Sequence, residues 1–389
     1  MRLNHGLHLA YCTNIHRGED WPQTFESLKT DVMAVRERVC PDKPYAIGLR
    51  LSDQASRELL APDELDRFKA WLDEENCYIF TINGFPYGQF HNTRVKEQVY
   101  APDWRTQERL DYTNRLFDIL AALVPEGVEG SVSTLPGSFK EFITDDAELE
   151  PIYDNLWKCA EHIDGLSQRT GRRLHLGLEP EPLGLFENSE ECVRFFAAAN
   201  QSRPDDDRFN RFIGINYDTC HLAVEYESAK DAIGALKGAG IFISKLHLSS
   251  ALKVKPTPET LAALKAFGDD VYLHQVIARK ADGSLIRAKD LDIALAEGSA
   301  FHAPGIEEWR IHFHIPLHSP ATELFDNTSD HLIEVLDLLK DNPALCSHLE
   351  METYTWEVMP GELKNRNVVD QLVGEYEWTL DQLRQRGLG

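Results

Sequence analysis

Four side chains in this sequence are of the types that hold a divalent cation. Glu179 closes the apolar run 174–179, and Asp218 closes 212–218. His247 lies near the end of 241–248, and Glu352 near the end of 347–353. Successive residues of a strand point to opposite faces. Leu174, Leu176 and Leu178 therefore share one face, and His175, Gly177 and Glu179 the other. The same alternation groups Gly214, Asn216 and Asp218, then Lys245 with His247, then His348, Glu350 and Glu352. A lone Glu or His at a strand end is ordinarily a solvated or hydrogen-bonded loop residue. Four at matching positions on consecutive strands point to a metal site. Carboxylates with an imidazole make a mixed oxygen and nitrogen donor set, which fits Mn, Co, Mg or Zn.

Such convergence needs a frame that brings strand ends together. Eight strand-like runs occur at 7–11, 45–51, 77–83, 128–134, 174–179, 212–218, 241–248 and 347–353. Between them lie segments of helical period, including 61–75, 103–123, 145–168, 189–200, 229–238 and 329–339. Alternating strands and helices predict parallel pairing, and eight units predict a closed (β/α)8 TIM barrel with function at the C-terminal strand ends. At 389 residues the chain exceeds the roughly 250 that such a barrel needs. Residues 251–318 take up the surplus as a lid between the seventh and eighth strands. Within it, 271–278, a turn at Asp282-Gly283 and 285–288 read as a β-hairpin. The run 309–316 reads equally as a lid strand or a barrel strand. One domain over 1–389 is expected.

Composition limits the function classes. Acidic residues outnumber basic ones 64 to 40, a formal charge of −24, which disfavours a nucleic-acid partner. With 42% hydrophobic residues the chain can bury a sizeable core. Seven cysteines without a CxxC pair suggest reduced thiols and a cytoplasmic location. No run resembles a signal peptide or membrane helix, so no membrane insertion is expected.

The segment Tyr217-Asp218-Thr219-Cys220-His221, with Leu178-Glu179-Pro180 before it and Lys245-Leu246-His247-Leu248 after it, resembles the xylose-isomerase-like barrel superfamily. That group includes sugar-phosphate isomerases and epimerases and the endonuclease IV type of phosphodiesterase. The resemblance implies a metal held by Glu179, Asp218, His247 and Glu352, with Glu179 and Glu352 doubling as the acid/base pair. It also implies that His221 contacts a substrate hydroxyl or, as in the phosphodiesterase branch, a second metal. That branch needs histidines that the third strand end (Thr81-Ile82-Asn83-Gly84-Phe85) and the fourth (Ser133-Thr134-Leu135-Pro136-Gly137) lack. Together with the acidic charge, this counts against DNA repair. More closely, Leu9-Ala10-Tyr11-Cys12-Thr13-Asn14-Ile15-His16, Tyr272-Leu273-His274-Gln275-Val276 and Glu352-Thr353-Tyr354-Thr355-Trp356 resemble the EboE-type metabolite-traffic proteins. This implies a link to secondary-metabolite movement and brings no established reaction. It leaves room for a homo-oligomer or for partner proteins of the same operon.

Other residues are candidates for the mouth. Arg50 ends the inward face of 45–51 and would hold a ligand carboxylate or phosphate, or else form an internal salt bridge. Lys245 lies one layer below His247 and opposite Glu350, which suggests an ion pair, with a catalytic lysine or a substrate contact as the alternatives. His274 is placed to reach over the pocket toward substrate. His312 and His314 share one strand face at a spacing able to chelate metal. Phe85, Tyr87, Phe90 and His91 form an aromatic loop suited to walling off a ring-shaped substrate. Glu181 reads as exposed, and Cys220 as a packed residue of the turn. Nucleotide, dinucleotide, nucleophile-elbow and HExxH motifs are absent. The reading that follows is a divalent-metal isomerase or epimerase acting on a small polyhydroxylated or carbonyl metabolite. The alternatives are a non-catalytic metabolite-handling protein on the same barrel and a metal-assisted hydrolase or lyase.

Overall fold

The computed structural model of the chain describes residues 1–89, 95–268, 271–358 and 367–389. Seven strands come first, β1 (His8–Tyr11), β2 (Tyr45–Arg50), β3 (Cys77–Asn83), β4 (Gly130–Thr134), β5 (Leu174–Leu178), β6 (Ile213–Asp218) and β7 (Ile243–Leu248). Five more follow, β8 (Ala251–Val254), β9 (Val276–Lys280), β10 (Leu285–Ala288), β11 (Ile306–His314) and β12 (Asp326–Asn327), and then β13 (His348–Met351). Strands β1 to β7 and β13 pair in parallel in the order β1-β13-β7-β6-β5-β4-β3-β2. A parallel bridge from Cys12 to Gly48 links the two ends of this series, so the eight strands nearly close into the expected TIM barrel.

The periodicity read from the sequence builds it. Outward residues such as Ile79, Leu176, Ile215 and Leu246 are fully buried beneath the surrounding helices. Those helices begin where side chains cap them: Asn188 accepts from Glu191 N–H, Ser228 from Asp231 N–H and Asn367 from Asp370 N–H. The segment expected to be helical from 103 starts later, at Gln107. Asp103 first takes the Arg105 N–H in a turn, and Thr106 then caps the helix at Arg109 N–H. No helix among the described residues is long and apolar enough to cross a membrane.

Strands β8 to β12 form a separate antiparallel sheet in the order β10-β9-β11-β8-β12, placed in sequence between β7 and β13. It has its own apolar core around Leu252, Trp309, Ile311 and Phe313. One open alternative is resolved and two details differ from the sequence reading. The run 309–316 belongs to this sheet rather than the barrel, because β11 pairs with β8 and β9. The sheet continues beyond 318, since Asp326 and Asn327 pair with Lys253 and Leu252. The hairpin begins at Val276 rather than 271. Before it the chain turns, with Val271 accepting from Val95 and Lys96 N–H, and Asp290 accepting the His274 N–H.

Helix Val368–Gln385 ties this sheet to the barrel through Glu375. Its carboxylate accepts from Leu317 N–H at 3.1 Å and from the Thr353 hydroxyl at 2.7 Å. Burial pushes Glu375 from 4.5 up to about 7, against the pull of those hydrogen bonds. Over that window the folded chain keeps a proton that the unfolded chain releases. Its contribution therefore falls as pH rises, by up to about 1.4 kcal/mol per unit. We expect E375Q to lose less stability than wild type between about pH 5 and pH 7 in urea unfolding. Equal losses would refute this account of Glu375.

Candidate metal centre in the barrel mouth

The barrel interior is layered. At the bottom the rings of His8, Phe80, His175 and His348 pack together, with the His175 and His348 centroids 5.2 Å apart. Above them Lys245 Nζ donates to Glu350 Oε2 at 2.6 Å, both side chains fully buried. His247 Nε2–H donates to the same oxygen at 2.8 Å. Lys245 and His247 hold Glu350 down at about 2 despite its burial. This arrangement requires a glycine on β2, since a Cβ at Gly48 would lie 2.1 Å from Glu350 Oε1.

The Nε2–H donation leaves His247 Nδ1 facing upward, where the carboxylates converge. Glu179 Oε1 is 2.9 Å from it, Glu352 Oε2 3.4 Å and Asp218 Oδ2 3.6 Å. Glu179 and Glu352 each lie one residue beyond their strands. They stay in register because Glu179 N–H donates to Thr134 and Glu352 N–H to Leu248. Asp218 Oδ1 accepts from Cys220 N–H, His221 N–H and the Ser249 hydroxyl, so it caps the turn after β6. Glu352 Oε1 accepts from Asn14 at 2.8 Å and Asn83 at 3.2 Å.

Concentrated charge shifts these groups. Burial opposes the charge on His247, but Glu352 and Glu179 outweigh it and hold its pKa well above the usual imidazole range. Burial raises Glu352 to about 8, His247 pulling it down while Glu179 and Asp218 push it up. One donor atom from each of Glu179, Asp218, His247 and Glu352 lies within 4.8 Å of the others, all buried. Asp218 Oδ2 is buried without a hydrogen-bond partner. Three carboxylates, one imidazole and this unpaired oxygen fit a divalent cation, and the donor set suits any of the four ions named above.

A cavity opens over this cluster. Asn14, Asn83, Glu179, Glu181, His221 and Glu352 form its polar floor. Phe85, Tyr100, Tyr272 and Tyr354 supply aromatic wall, and Gln275 and His312 reach in from the second sheet. Of the four expected substrate contacts, the structure places His221 on this floor and the other three elsewhere. Arg50 takes its alternative reading, an ion pair with Glu19 at 3.5 Å, and braces loops by donating to the carbonyls of Gly18 at 2.7 Å and Gly88 at 2.6 Å. Lys245 lies a layer below, consumed by Glu350. The His274 ring packs on Phe313 and donates from Nδ1 to the His312 carbonyl, while its neighbours Leu273 and Gln275 line the cavity. Of the aromatic loop, Phe85 reaches the cavity and Tyr87 packs on Tyr112. Phe90 and His91 lie outside the described residues.

The sequence reading missed Glu181. It is buried, and burial raises its pKa well above the carboxylate range. The run Pro180-Glu181-Pro182, set off by left-handed Leu183 at φ 70°, turns it inward. Nothing in the local pattern marks that turn. Asn83, the last residue of β3, was open to the strand-end logic that found the acidic residues. Cys220 is buried with its thiol pKa raised well above the usual range, an inert packing residue.

Comparison with solved structures matches this architecture. The chain resembles a structure described as L-ribulose 3-epimerase, with a TM-score of 0.52 at 11% identity over 99% of this chain and 96% of that one. It also resembles a D-tagatose 3-epimerase-like protein, with a TM-score of 0.51 at 13% identity over 97% of each. At such identities the likeness shows the fold alone, that of a TIM barrel. No protein-family model and no curated protein matches the sequence.

Removing one partner from a buried ion pair leaves an uncompensated charge. Lys245→Met should therefore destabilise the protein by about 3–5 kcal/mol. The K245M/E350Q double variant should recover part of the loss, as read by urea unfolding. A cost below about 1 kcal/mol for K245M would mean that the pair does not organise the barrel interior.

Proposed function

We propose that the chain is a divalent-metal-dependent isomerase or epimerase acting on a small polyhydroxylated or carbonyl-bearing metabolite. The observation that carries this reading is the cluster of Glu179, Asp218, His247 and Glu352, two of whose carboxylates also form the floor of a cavity. A cation held there would polarise a substrate carbonyl and favour the enediolate. Glu179 and Glu352 follow β5 and β13, three strands apart in the barrel order, and both line the cavity. One takes the proton from the carbon beside the carbonyl, and the other returns it at the neighbouring carbon or on the opposite face. Asn14 and Asn83 orient Glu352 through Oε1, leaving Oε2 toward His247. The aromatic wall excludes water and stacks on the less polar face of the substrate.

The resemblance to EboE-type proteins extends the proposal to a metabolite of a secondary pathway. A second reading, a metabolite-handling protein without turnover, is favoured by the deep burial of Glu179, His221 and Glu352 beneath the second sheet. Incubating the Mg²⁺- or Zn²⁺-loaded protein with ketopentoses and ketohexoses in D₂O separates the two. The enzyme reading expects deuterium beside the carbonyl by NMR, reduced on the order of 10²–10⁴-fold in E179Q and E352Q. Sugar binding without exchange would favour the handling reading.

A further inference from the structure

Three imidazoles meet beside the cavity, and the cluster described above uses none of them. His221 follows β6, while His312 and His314 share one face of β11. The His221 ring centroid is 4.6 Å from that of His312 and 5.4 Å from that of His314. Each ring uses Nδ1 on a carbonyl oxygen, an acceptor that takes a hydrogen bond and cannot give one. His221 Nδ1 lies 3.1 Å from Pro180 O, His314 Nδ1 3.0 Å from Glu352 O and His312 Nδ1 2.7 Å from Gln275 Oε1. The Gln275 amide donates to Pro182 O, which fixes its oxygen toward His312. In its neutral form each ring therefore carries the proton on Nδ1 and a lone pair on Nε2. Donation of the second ring nitrogen to a carbonyl is how metal-bound histidines are held.

The Nε2 atoms of His221 and His314 lie close to one another, and that of His221 lies close to a carboxylate. His221 Nε2 is 3.4 Å from His314 Nε2 and 4.0 Å from Glu181 Oε2. His312 Nε2 and Glu181 Oε1 are buried without a hydrogen-bond partner, and the two residues are only 4% and 8% exposed. A proton shared between His221 and His314 would leave both of those atoms unsatisfied. A cation satisfies them together. Donor atoms of Glu181, His221 and His312 lie within 4.8 Å of one another, and all three residues line the cavity.

We propose that Glu181, His221 and His312 form a second divalent-cation site. Its ligands come from the loop after β5, the turn after β6 and strand β11. Two imidazoles and one carboxylate select a borderline ion of the Zn²⁺ or Co²⁺ kind over Mg²⁺ or Ca²⁺. The cation would join the second sheet to the barrel mouth, and it would take the place of a direct contact between His221 and a substrate hydroxyl. The inference goes beyond the proposed function, whose four ligands it does not use.

The test is metal counting on chelator-stripped, Zn²⁺-reloaded protein, with the visible spectrum of the Co²⁺-loaded form as a second readout. Wild type is expected to hold two equivalents, and E181Q and H312A one each. The histidine-rich Co²⁺ band should disappear in both variants and persist in E352Q. E181Q is isosteric, and thermal unfolding of the stripped variants checks that each folds. One equivalent in wild type, undiminished in E181Q and H312A, overturns the second site. One equivalent that H312A loses and E352Q keeps would support the second site and remove the metal on which the proposed function depends.

Discussion

The buried contact of Lys245 with Glu350 governs the chemistry of this barrel. Two charges with no exposure to water are costly unless each is paired and hydrogen-bonded. Glu350 meets that demand by accepting from Lys245 at 2.6 Å and from His247 at 2.8 Å on one oxygen. The second of these bonds sets the tautomer of His247 and turns its other nitrogen toward the mouth. Three carboxylates then crowd onto that nitrogen, an arrangement that concentrates negative charge in a poorly solvated place. Protonation of Glu352 and charging of His247 relieve it in the absence of a cation, which is why both pKa values are raised. The barrel interior is therefore an electrostatic scaffold as much as a packed core. The missing side chain at Gly48 leaves the space that Glu350 occupies.

The second sheet changes what the mouth can do. A bare barrel would present the carboxylate cluster to solvent, where it would bind hydrated ions with little selectivity. Here β11 and the turn before β9 bring Tyr272, Gln275 and His312 over the cavity. The sheet keeps its own apolar core, so its position is set by packing and by tethers such as Glu375 rather than by the site. That separation allows the wall to vary while the floor keeps its geometry, the usual relation of barrel and loops in this fold.

Much of the site was legible from strand alternation. Glu179, Asp218, His247 and Glu352 each end a two-residue period that is strict in the sequence, and parallel strands must then deliver them to the same rim. The Lys245–Glu350 contact followed from the same count, one layer lower. Where the reading failed, the reason was consistent. Arg50 has the right place on its strand but, instead of facing a ligand, pairs with Glu19 and with loop carbonyls, whose oxygens near the mouth accept its hydrogen bonds. His274 lies in a turn whose path depends on Asp290, sixteen residues later. Glu181 follows a proline in a loop, where no period constrains direction.

The sequence by itself determined the class of fold, the inner and outer faces of its strands and the donor types gathered at one end. Those properties depend on local period, which a short window of residues contains. Only the tertiary structure decided which loop residues turn inward, where β11 pairs, and that His312 faces His221 and Glu181. Those contacts of His312 join residues more than 80 positions apart through a sheet whose placement is fixed by nonlocal packing, and no local pattern encodes that distance.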